Sequence, residues 1–268
     1  MALKEGIVYV AWGEKVLDEL EQSRLSAAKF GYPICLITDE ETKVDESRYD
    51  FIIRHKFDHR LKGLCRKSVI YDLSPFETTL FLDTDTVVFY NIDYGFDRAR
   101  RYGMCLSFAP VFVLDKTNAV CDDGAVIYNT GVIFFDKNKE VKKVFDGWKH
   151  LCELHDTDND QPLFCVSVDL NQFNPHTLPH TWNFRAQFSE RNLHINGPLR
   201  IWHSRQPVPK NIVEYNRQWR EARGFAFYQM KKEGEDFVGE IKYKIEPKDD
   251  PFDWHKIWKS PLEYLDED

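Results

Sequence analysis

The sequence predicts an α/β fold with a mostly parallel central sheet and helices on both faces. The chain begins with an apolar run at residues 6–11, a polar helical stretch at 14–30 and a second apolar run at 34–38. A strand, a helix and a strand at this spacing are typical of a right-handed parallel βαβ unit. Hydrophobic residues make up 43% of the 268 and aromatic residues 15%, which is enough for a large core and argues against disorder.

Apolar runs and helical stretches continue to alternate along the chain, which supports the same fold class. From residue 215 the pattern changes, because charged residues mix with aromatic ones and no motif stands out. We expect a main domain over residues 1–214 and a C-terminal extension over 215–268 that packs back on it through its aromatic side chains. Further strands are predicted at residues 49–54, 79–82, 103–108, 131–135 and 199–202, and further helices at 64–72 and 141–155.

Charge and cysteine content limit the class of protein. The net charge is −8, whereas a nucleic-acid binder needs a basic face against the phosphates. The six cysteines are scattered without a C-x-x-C pair, as expected of reduced thiols. The N-terminus lacks the pattern of a signal peptide, and no run approaches the roughly 18 apolar residues of a spanning helix. We therefore expect a cytoplasmic protein without a transmembrane segment.

The most informative segment is Asp83-Thr84-Asp85, which follows the apolar run at residues 79–82. In an extended chain, residues two apart face the same way, so Asp83 and Asp85 converge at the end of a strand. Ligand sites in open parallel sheets lie at that edge. Two carboxylates about 4 Å apart repel by roughly 1–4 kcal/mol, and a divalent cation removes this cost. The alternative is that both residues cap turns or helices in solvent.

The same string is found in two enzyme classes. It resembles the opening motif of haloacid-dehalogenase-like phosphatases, in which Asp83 would be the phosphorylated nucleophile and Asp122-Asp123 the late acidic pair. Those enzymes place the motif on the first strand, whereas about eighty residues precede it here. The string equally resembles the D-x-D of glycosyltransferases with the GT-A fold, whose carboxylates hold a metal on the diphosphate of a sugar nucleotide.

Later motifs favour the second class. Their order resembles that of GT-A glycosyltransferases over residues 6–210, and most of all the branch that contains glycogenin and bacterial lipopolysaccharide sugar transferases. A non-catalytic sugar-nucleotide-binding relative would show the same motifs. The motifs are an N-T-G strand at Asn129, Thr130 and Gly131, a D-Q step at Asp160-Gln161, a W-N step ending at Asn183, a W-H strand end at His203, and the basic pair Arg66-Lys67 on the helix before the D-x-D.

The resemblance implies a GT-A catalytic domain over residues 1–214 that moves a hexose from a nucleoside diphosphate sugar. It implies a UDP-linked donor, retention of configuration, and an acceptor hydroxyl on a carbohydrate, lipid-linked or protein acceptor. The metal ligands would be Asp83, Asp85 and His203. Carboxylates with one imidazole suit Mn²⁺, with Mg²⁺ as an alternative.

The resemblance also implies the remaining site residues. Asp160 would be the carboxylate nearest the anomeric carbon, although an Asp before Gln161-Pro162 also fits a helix N-cap. The donor nucleotide and sugar would be bound by Ala11, Trp12, Arg66, Lys67, Asp83, Thr84, Asp85, Asn129, Thr130, Gly131, Gln161, Asn183 and Lys210.

The end of the motif set departs from that branch. The usual ending is H-x-x-G-x-x-K-P-W, whose lysine meets the diphosphate. Here the glycine after His203 is missing and the lysine is one position late. Arg205 or Lys210 would have to supply this charge, and the sequence does not decide between them.

Overall fold

The computed structural model describes residues 3–109, 126–186, 193–195, 197–219, 226–234 and 236–243. The second acidic pair, Asp122-Asp123, lies outside the described residues. Six α-helices lie in the described part: α1 (Leu17–Ala28), α2 (Ile70–Leu73), α3 (Asp93–Tyr102), α4 (Lys139–Leu154), α5 (Asp160–Leu170) and α6 (Ile212–Trp219). The described strands are β1 (Leu3–Val10), β2 (Ile34–Thr38), β3 (Phe51–Arg54), β4 (Phe76–Leu82), β5 (Thr86–Val88), β6 (Met104–Phe108), β7 (Tyr128–Asp136), β8 (His176–Leu178), β9 (Leu193–Ile195), β10 (Ile201–His203), β11 (Ala226–Glu233) and β12 (Asp236–Tyr243).

Seven of these strands form the central sheet, in the order β3-β2-β1-β4-β7-β6-β8. Neighbours are parallel from β3 to β4 and between β6 and β8, whereas β7 is antiparallel to both β4 and β6. The sheet is therefore mostly parallel, which confirms the predicted fold class. The predicted βαβ unit is present as β1, α1 and β2. Strand β4 lies at the centre, so its carboxyl end opens in the middle of the sheet edge.

Helices cover both faces of the sheet. Along β1, Ile7 and Tyr9 belong to the core under α1 and α3, and Val8 and Val10 to the core under α4 and α5. All four are at most 6% exposed. Alternation between two buried faces explains why this strand reads as a continuous apolar run rather than an alternating one.

Helices α4 and α5 fix the position of one candidate site residue. The side chain of Asn138 caps α4 by accepting from the main-chain N–H groups of Glu140 and Val141. Further along α4, buried Trp148 donates its indole N–H to the main-chain oxygen of Asp160, at 3.0 Å. Asp160 is the first residue of α5, and Asn159 takes the N-cap position without a side-chain bond. Asp160 is therefore not the side-chain cap of this helix.

Two smaller sheets complete the fold. Strands β5 and β10 pair antiparallel, with Thr86 opposite His203. Strands β12, β11 and β9 form a three-stranded sheet that packs on α6 and β10 through a third apolar cluster. Helix α6 crosses residue 214, the boundary expected between main domain and extension, and that division stays a prediction. No helix in the described part of the chain is both long and apolar enough to cross a membrane.

Most predicted elements are present with shifted ends. The helix expected at residues 64–72 is a 3₁₀ helix, Gly63–Val69, followed by the single turn α2. The helix expected at 14–30 is a short 3₁₀ turn followed by α1. The sequence pattern did not predict α3, α6 and the strands β5, β8, β9, β11 and β12.

Candidate functional site

The D-x-D segment is held in place by its backbone. Asp83 follows β4, and its N–H donates to the carbonyl of Gly131 on β7, at 2.8 Å. Its own carbonyl accepts from the hydroxyl of Thr86, at 2.8 Å. That hydroxyl also forms a hydrogen bond with the Ser23 hydroxyl of α1, at 2.8 Å, and the Ser23 hydroxyl forms one with the hydroxyl of Tyr9, at 2.9 Å. A buried row of hydroxyls thus ties β1, α1 and β5 to the main chain of Asp83.

Asp83, Asp85 and His203 converge at the carboxyl end of β4. Nε2 of His203 lies 3.2 Å from Oδ1 of Asp85 and 3.6 Å from Oδ2 of Asp83. One ligand atom from each residue can be chosen so that all three lie within 4.8 Å of one another. The His203 side chain is 3% exposed, whereas the two carboxylates are partly open to solvent. The pairing of β10 with β5 brings His203 here from far along the chain.

The orientation of His203 is set by the predicted W-N residue. Asn183 donates its amide to the carbonyl of Asn129, at 3.3 Å, so its oxygen faces Nδ1 of His203, at 2.6 Å. In a neutral ring Nδ1 then carries the proton, and Nε2 presents its lone pair to the two carboxylates. With the ring neutral, three electronegative atoms face one point and favour a positive charge between them. An amide oxygen that accepts the other ring N–H is typical of histidines that bind metals.

The residues fit a divalent metal ion. Ligands at neighbouring corners of an octahedral ion are about 3 Å apart when each bond is about 2.1 Å, close to the separations seen around His203. Two carboxylates and one imidazole are the donor set that Mn²⁺ and Mg²⁺ accept. Asp83, Asp85 and His203 therefore form a candidate divalent metal site, and which metal they prefer stays a prediction.

Lys67 and Asp160 lie side by side behind this group. Nζ of Lys67 is 2.9 Å from Oδ1 of Asp83 and 3.6 Å from Oδ1 of Asp160. The Lys67 and Asp160 side chains are 4% and 1% exposed. The other carboxylate oxygen of Asp160 is buried and has no hydrogen-bond partner among the described residues. A buried acceptor without a partner is costly in a folded protein, so this oxygen is a candidate contact for a ligand.

Burial and neighbouring charges shift the pKa values of these side chains in opposite directions. Burial raises the pKa of Asp160 above its ordinary value, and the ammonium of Lys67 only partly offsets this. Burial lowers the pKa of Lys67, but Asp160 and Asp83 outweigh it and the net shift is upward. Burial raises the pKa of Asp85, but the protonated form of His203 and then Arg185 outweigh it and the net shift is downward. The upward shift in the pKa of Lys67 keeps its side chain cationic.

An open cleft of about 680 Å³ runs from the three ligands to Asp160, and a pocket of about 300 Å³ adjoins it towards Trp12. The structure brings twelve of the sequence-predicted residues to these two cavities, and their roles remain predictions. They are Ala11, Trp12, Lys67, Asp83, Thr84, Asp85, Asn129, Thr130, Gly131, Asp160, Gln161 and His203.

Three predicted residues lie elsewhere. Arg66 is stacked at the side of the pocket, 4.9 Å from the ring centre of Trp12 and 5.2 Å from that of Phe57. Asn183 is buried behind His203, and both ends of its amide are engaged. Lys210 lines neither cavity, and its ammonium lies 3.5 Å from the carboxylate of Glu233.

The structure adds residues that the sequence did not single out. Arg185 lines the cleft and touches His203, and it lies there beside Arg205, which the sequence had already offered as a candidate charge. Phe57 completes the stack on Arg66. No motif marks Arg185, because its place depends on the pairing of Phe184 with Trp202 on β10. The position of Arg185 in the cleft can therefore be recognised only from the three-dimensional structure.

Comparisons with known proteins identify the fold. No protein-family model and no curated protein matches the sequence. Among solved structures, the glycosyltransferase GlyE of Streptococcus pneumoniae matches with a TM-score of 0.50 and 14% identity, over 68% of this chain and 47% of that one. Mouse xyloside xylosyltransferase 1 matches with a TM-score of 0.49 and 10% identity, over 77% and 100% of the two chains. An active-site mutant of LgtC matches with a TM-score of 0.48 and 12% identity, over 76% and 88%.

The likeness to GlyE shows the fold of this chain. The chain has the GT-A glycosyltransferase fold, with a D-x-D segment in a metal-binding arrangement at the carboxyl end of its central strand. The match spans less than half of the GlyE chain. At this level of identity the comparison supports the fold, and the activity has to be argued from the site.

Proposed function

We propose that this protein is a metal-dependent glycosyltransferase that moves a hexose from a nucleoside diphosphate sugar to an acceptor hydroxyl. One observation carries the proposal. Asp83, Asp85 and His203 converge within 4.8 Å at the base of an open cleft, in a fold shared with a glycosyltransferase. The cleft continues from these ligands to the buried carboxylate of Asp160, so that a metal-bound diphosphate and a sugar would fit in sequence along it.

Each side chain has a role in this proposal. A bound Mn²⁺ or Mg²⁺ supplies a Lewis acid that offsets the negative charge of the leaving diphosphate. Asp83, Asp85 and His203 hold the ion, and Asn183 keeps Nε2 of His203 turned towards it. Asp160 places a carboxylate beside the reacting carbon, where positive charge develops during glycosyl transfer.

The donor is proposed from the second cavity. The pocket of about 300 Å³ has Trp12 on its wall and the metal ligands at its base. An aromatic wall next to a metal–diphosphate site suits a nucleotide base, and the family resemblance favours uridine. The same resemblance favours retention of the anomeric configuration. NMR of the product anomer during early turnover tests this last proposal.

Metal-dependent nucleotide binding tests the function. We expect UDP to raise the melting temperature only when Mn²⁺ is present, and we expect Asp85→Asn to abolish this shift because it removes a ligand charge. Asp146→Asn is the matched control, since Asp146 is an exposed carboxylate on α4 paired with Lys142. A panel of sugar nucleotides, assayed for metal-dependent hydrolysis without an acceptor, then identifies the donor sugar.

The outcomes separate the competing functions. Hydrolysis of simple phosphate esters without any nucleotide-dependent shift would support the phosphatase and overturn the transferase. Metal-dependent binding of UDP without turnover of any sugar nucleotide would indicate a non-catalytic relative. Binding together with sugar transfer, lost in Asp85→Asn and kept in Asp146→Asn, supports the transferase.

A further inference from the structure

Arg185 lies directly on the metal-facing side of the histidine. Its Nη1 is 2.9 Å from Nε2 of His203 and 3.9 Å from Oδ2 of Asp85. The side chain is 34% exposed, so the guanidinium reaches the ligand group from the open cleft. Its buried Nε has no hydrogen-bond partner among the described residues. This guanidinium therefore supplies positive charge to His203 and Asp85, while Oδ2 of Asp83 accepts a hydrogen bond from Lys67 at 3.0 Å.

A guanidinium and a metal ion cannot share this position. Nδ1 of His203 donates to Asn183, so Nε2 offers the only lone pair of the ring. That lone pair accepts either one N–H group or one metal bond. A metal ion that binds Asp83, Asp85 and His203 must consequently displace Arg185, and the displaced cation then lies next to a doubly charged ion.

The displaced guanidinium needs an anion, and the other basic residues considered for that purpose already have one. Arg205 forms two hydrogen bonds with Glu19, at 2.6 and 3.1 Å. Lys210 lies against Glu233, outside the cleft. Lys67 is buried between two carboxylates. Arg185 is therefore the basic side chain most readily available to an anionic ligand of the metal.

We propose that Arg185 couples the binding of metal to the binding of the donor diphosphate, an inference that rests on the proposed function. It lies against His203 and Asp85 until the metal replaces it, and it then pairs with the diphosphate. Metal alone binds weakly, because it must displace the guanidinium and leave it without a partner. The diphosphate supplies that partner, so each of the two ligands strengthens the binding of the other by the same factor.

Isothermal titration with Mn²⁺, in the absence and presence of inorganic pyrophosphate, measures this coupling. Pyrophosphate is used because it contains the diphosphate and no base. We expect Arg185→Gln to bind Mn²⁺ alone several-fold more tightly than the wild type. We expect the gain in Mn²⁺ affinity caused by pyrophosphate to fall by about tenfold, within the usual range of coupling between sites. Arg185→Lys keeps the charge and should retain part of the coupling.

Controls separate this role from a structural one. Arg48→Gln removes an exposed arginine paired with Glu21 and Asp45, and it should leave both affinities within about twofold of the wild type. If Arg185→Gln weakens Mn²⁺ binding, the side chain supports His203 and the inference is overturned. If Arg205→Gln, and not Arg185→Gln, removes the coupling, the inference is likewise overturned.

The inference and the proposed function fail in different ways. A wild-type protein that binds Mn²⁺ and UDP, together with an Arg185→Gln variant of unchanged coupling, overturns the inference and leaves the function intact. A wild-type protein that binds neither Mn²⁺ nor pyrophosphate overturns both.

Discussion

Gly131 lies directly against the candidate metal site. A Cβ atom added to this glycine would lie 2.0 Å from Cε1 of His203, well inside van der Waals contact. Its carbonyl accepts the N–H of Asp83, so the same residue sets the position of two ligands. The N-T-G motif was expected near the donor sugar, and the structure adds a steric reason for its glycine.

The substitution Gly131→Ala should therefore weaken metal binding. We expect the new methyl group to push the His203 ring away and to lower Mn²⁺ affinity by about tenfold or more, as is common when the support of a metal ligand is disturbed. Titration with Mn²⁺ measures the loss. Gly147→Ala is the control, because its Cβ would be equally crowded, 2.4 Å from the Ser167 hydroxyl, at a distance from the site. Loss of stability in both variants, with unchanged Mn²⁺ affinity in Gly131→Ala, would contradict this account.

Lys67 is a basic residue whose position in the site depends on its burial beside Asp83 and Asp160. The family resemblance predicted a basic pair before the D-x-D. It did not predict that Lys67 is buried between two carboxylates. The two neighbours also behave differently: Arg66 stacks on aromatic rings at the edge, while Lys67 turns inward. Sequence spacing gives the order of such side chains, but the tight turn of a 3₁₀ helix determines which one is buried.

Removal of the Lys67 charge should destabilise the protein. Lys67→Met leaves Asp83 and Asp160 without their cation, and breaking a buried ion pair costs about 3–5 kcal/mol. We expect the free energy of unfolding to fall by roughly this amount in urea titrations. The double variant Lys67→Met/Asp160→Asn should recover part of the loss, because one uncompensated charge is gone. Equal losses in the single and double variants would show that Lys67 acts through packing alone.

At the scale of elements, buried strands were predictable and exposed elements were not. Strands β2 and β4 have five and seven residues, nearly all buried, and β2 and the second half of β4 have the apolar character of buried strands. Helix α3 is mostly polar and carries a glycine, and β5 has only three residues. The hairpin β11–β12 carries charges along both strands. Such segments fold because the rest of the structure pairs with them, so their own sequence carries a weak signal.

Two elements form the proposed base pocket, the segment after β1 and the 3₁₀ helix Gly63–Val69. We expect Trp12→Leu to lower the affinity for UDP by about tenfold, the effect of losing one aromatic contact of roughly 1.5 kcal/mol. Mn²⁺ affinity should not change, because Trp12 touches none of the ligands. Trp219→Leu on α6 serves as the control. A UDP affinity that is unaffected by Trp12→Leu would place the base elsewhere.

At the scale of the whole molecule, the order of motifs predicted the fold and many of the residues that line the candidate site. The D-x-D follows β4, the N-T-G lies at the start of β7, the D-Q begins α5 and the W-H ends β10, and all four meet at the carboxyl end of β4. The role of Asn183 behind His203 and the presence of Arg185 could not be predicted. Both depend on distances between segments that are far apart in the chain.

Metal should stabilise the whole fold, because the candidate ligands come from the segment between β4 and β5 and from β10. We expect Mn²⁺ at about a hundred times its Kd to raise the free energy of unfolding by roughly 2.7 kcal/mol. Urea titration with and without Mn²⁺ measures this, and His203→Ala should remove the effect. Stabilisation of equal size in His203→Ala would show that Mn²⁺ binds at a different place.

The pairing of His203 with Thr86 has a consequence for how the protein is made. During synthesis, Asp83 and Asp85 leave the ribosome long before His203 does. The pair of carboxylates stays incomplete until β10 has been translated and has paired with β5, across an intervening chain that contains α3, α4 and α5, and a contact over so long a separation has an appreciable entropic cost. With the proposed metal site, tight capture of the ion would come late in biogenesis, and a truncated nascent chain that ends before β10 would hold the metal weakly.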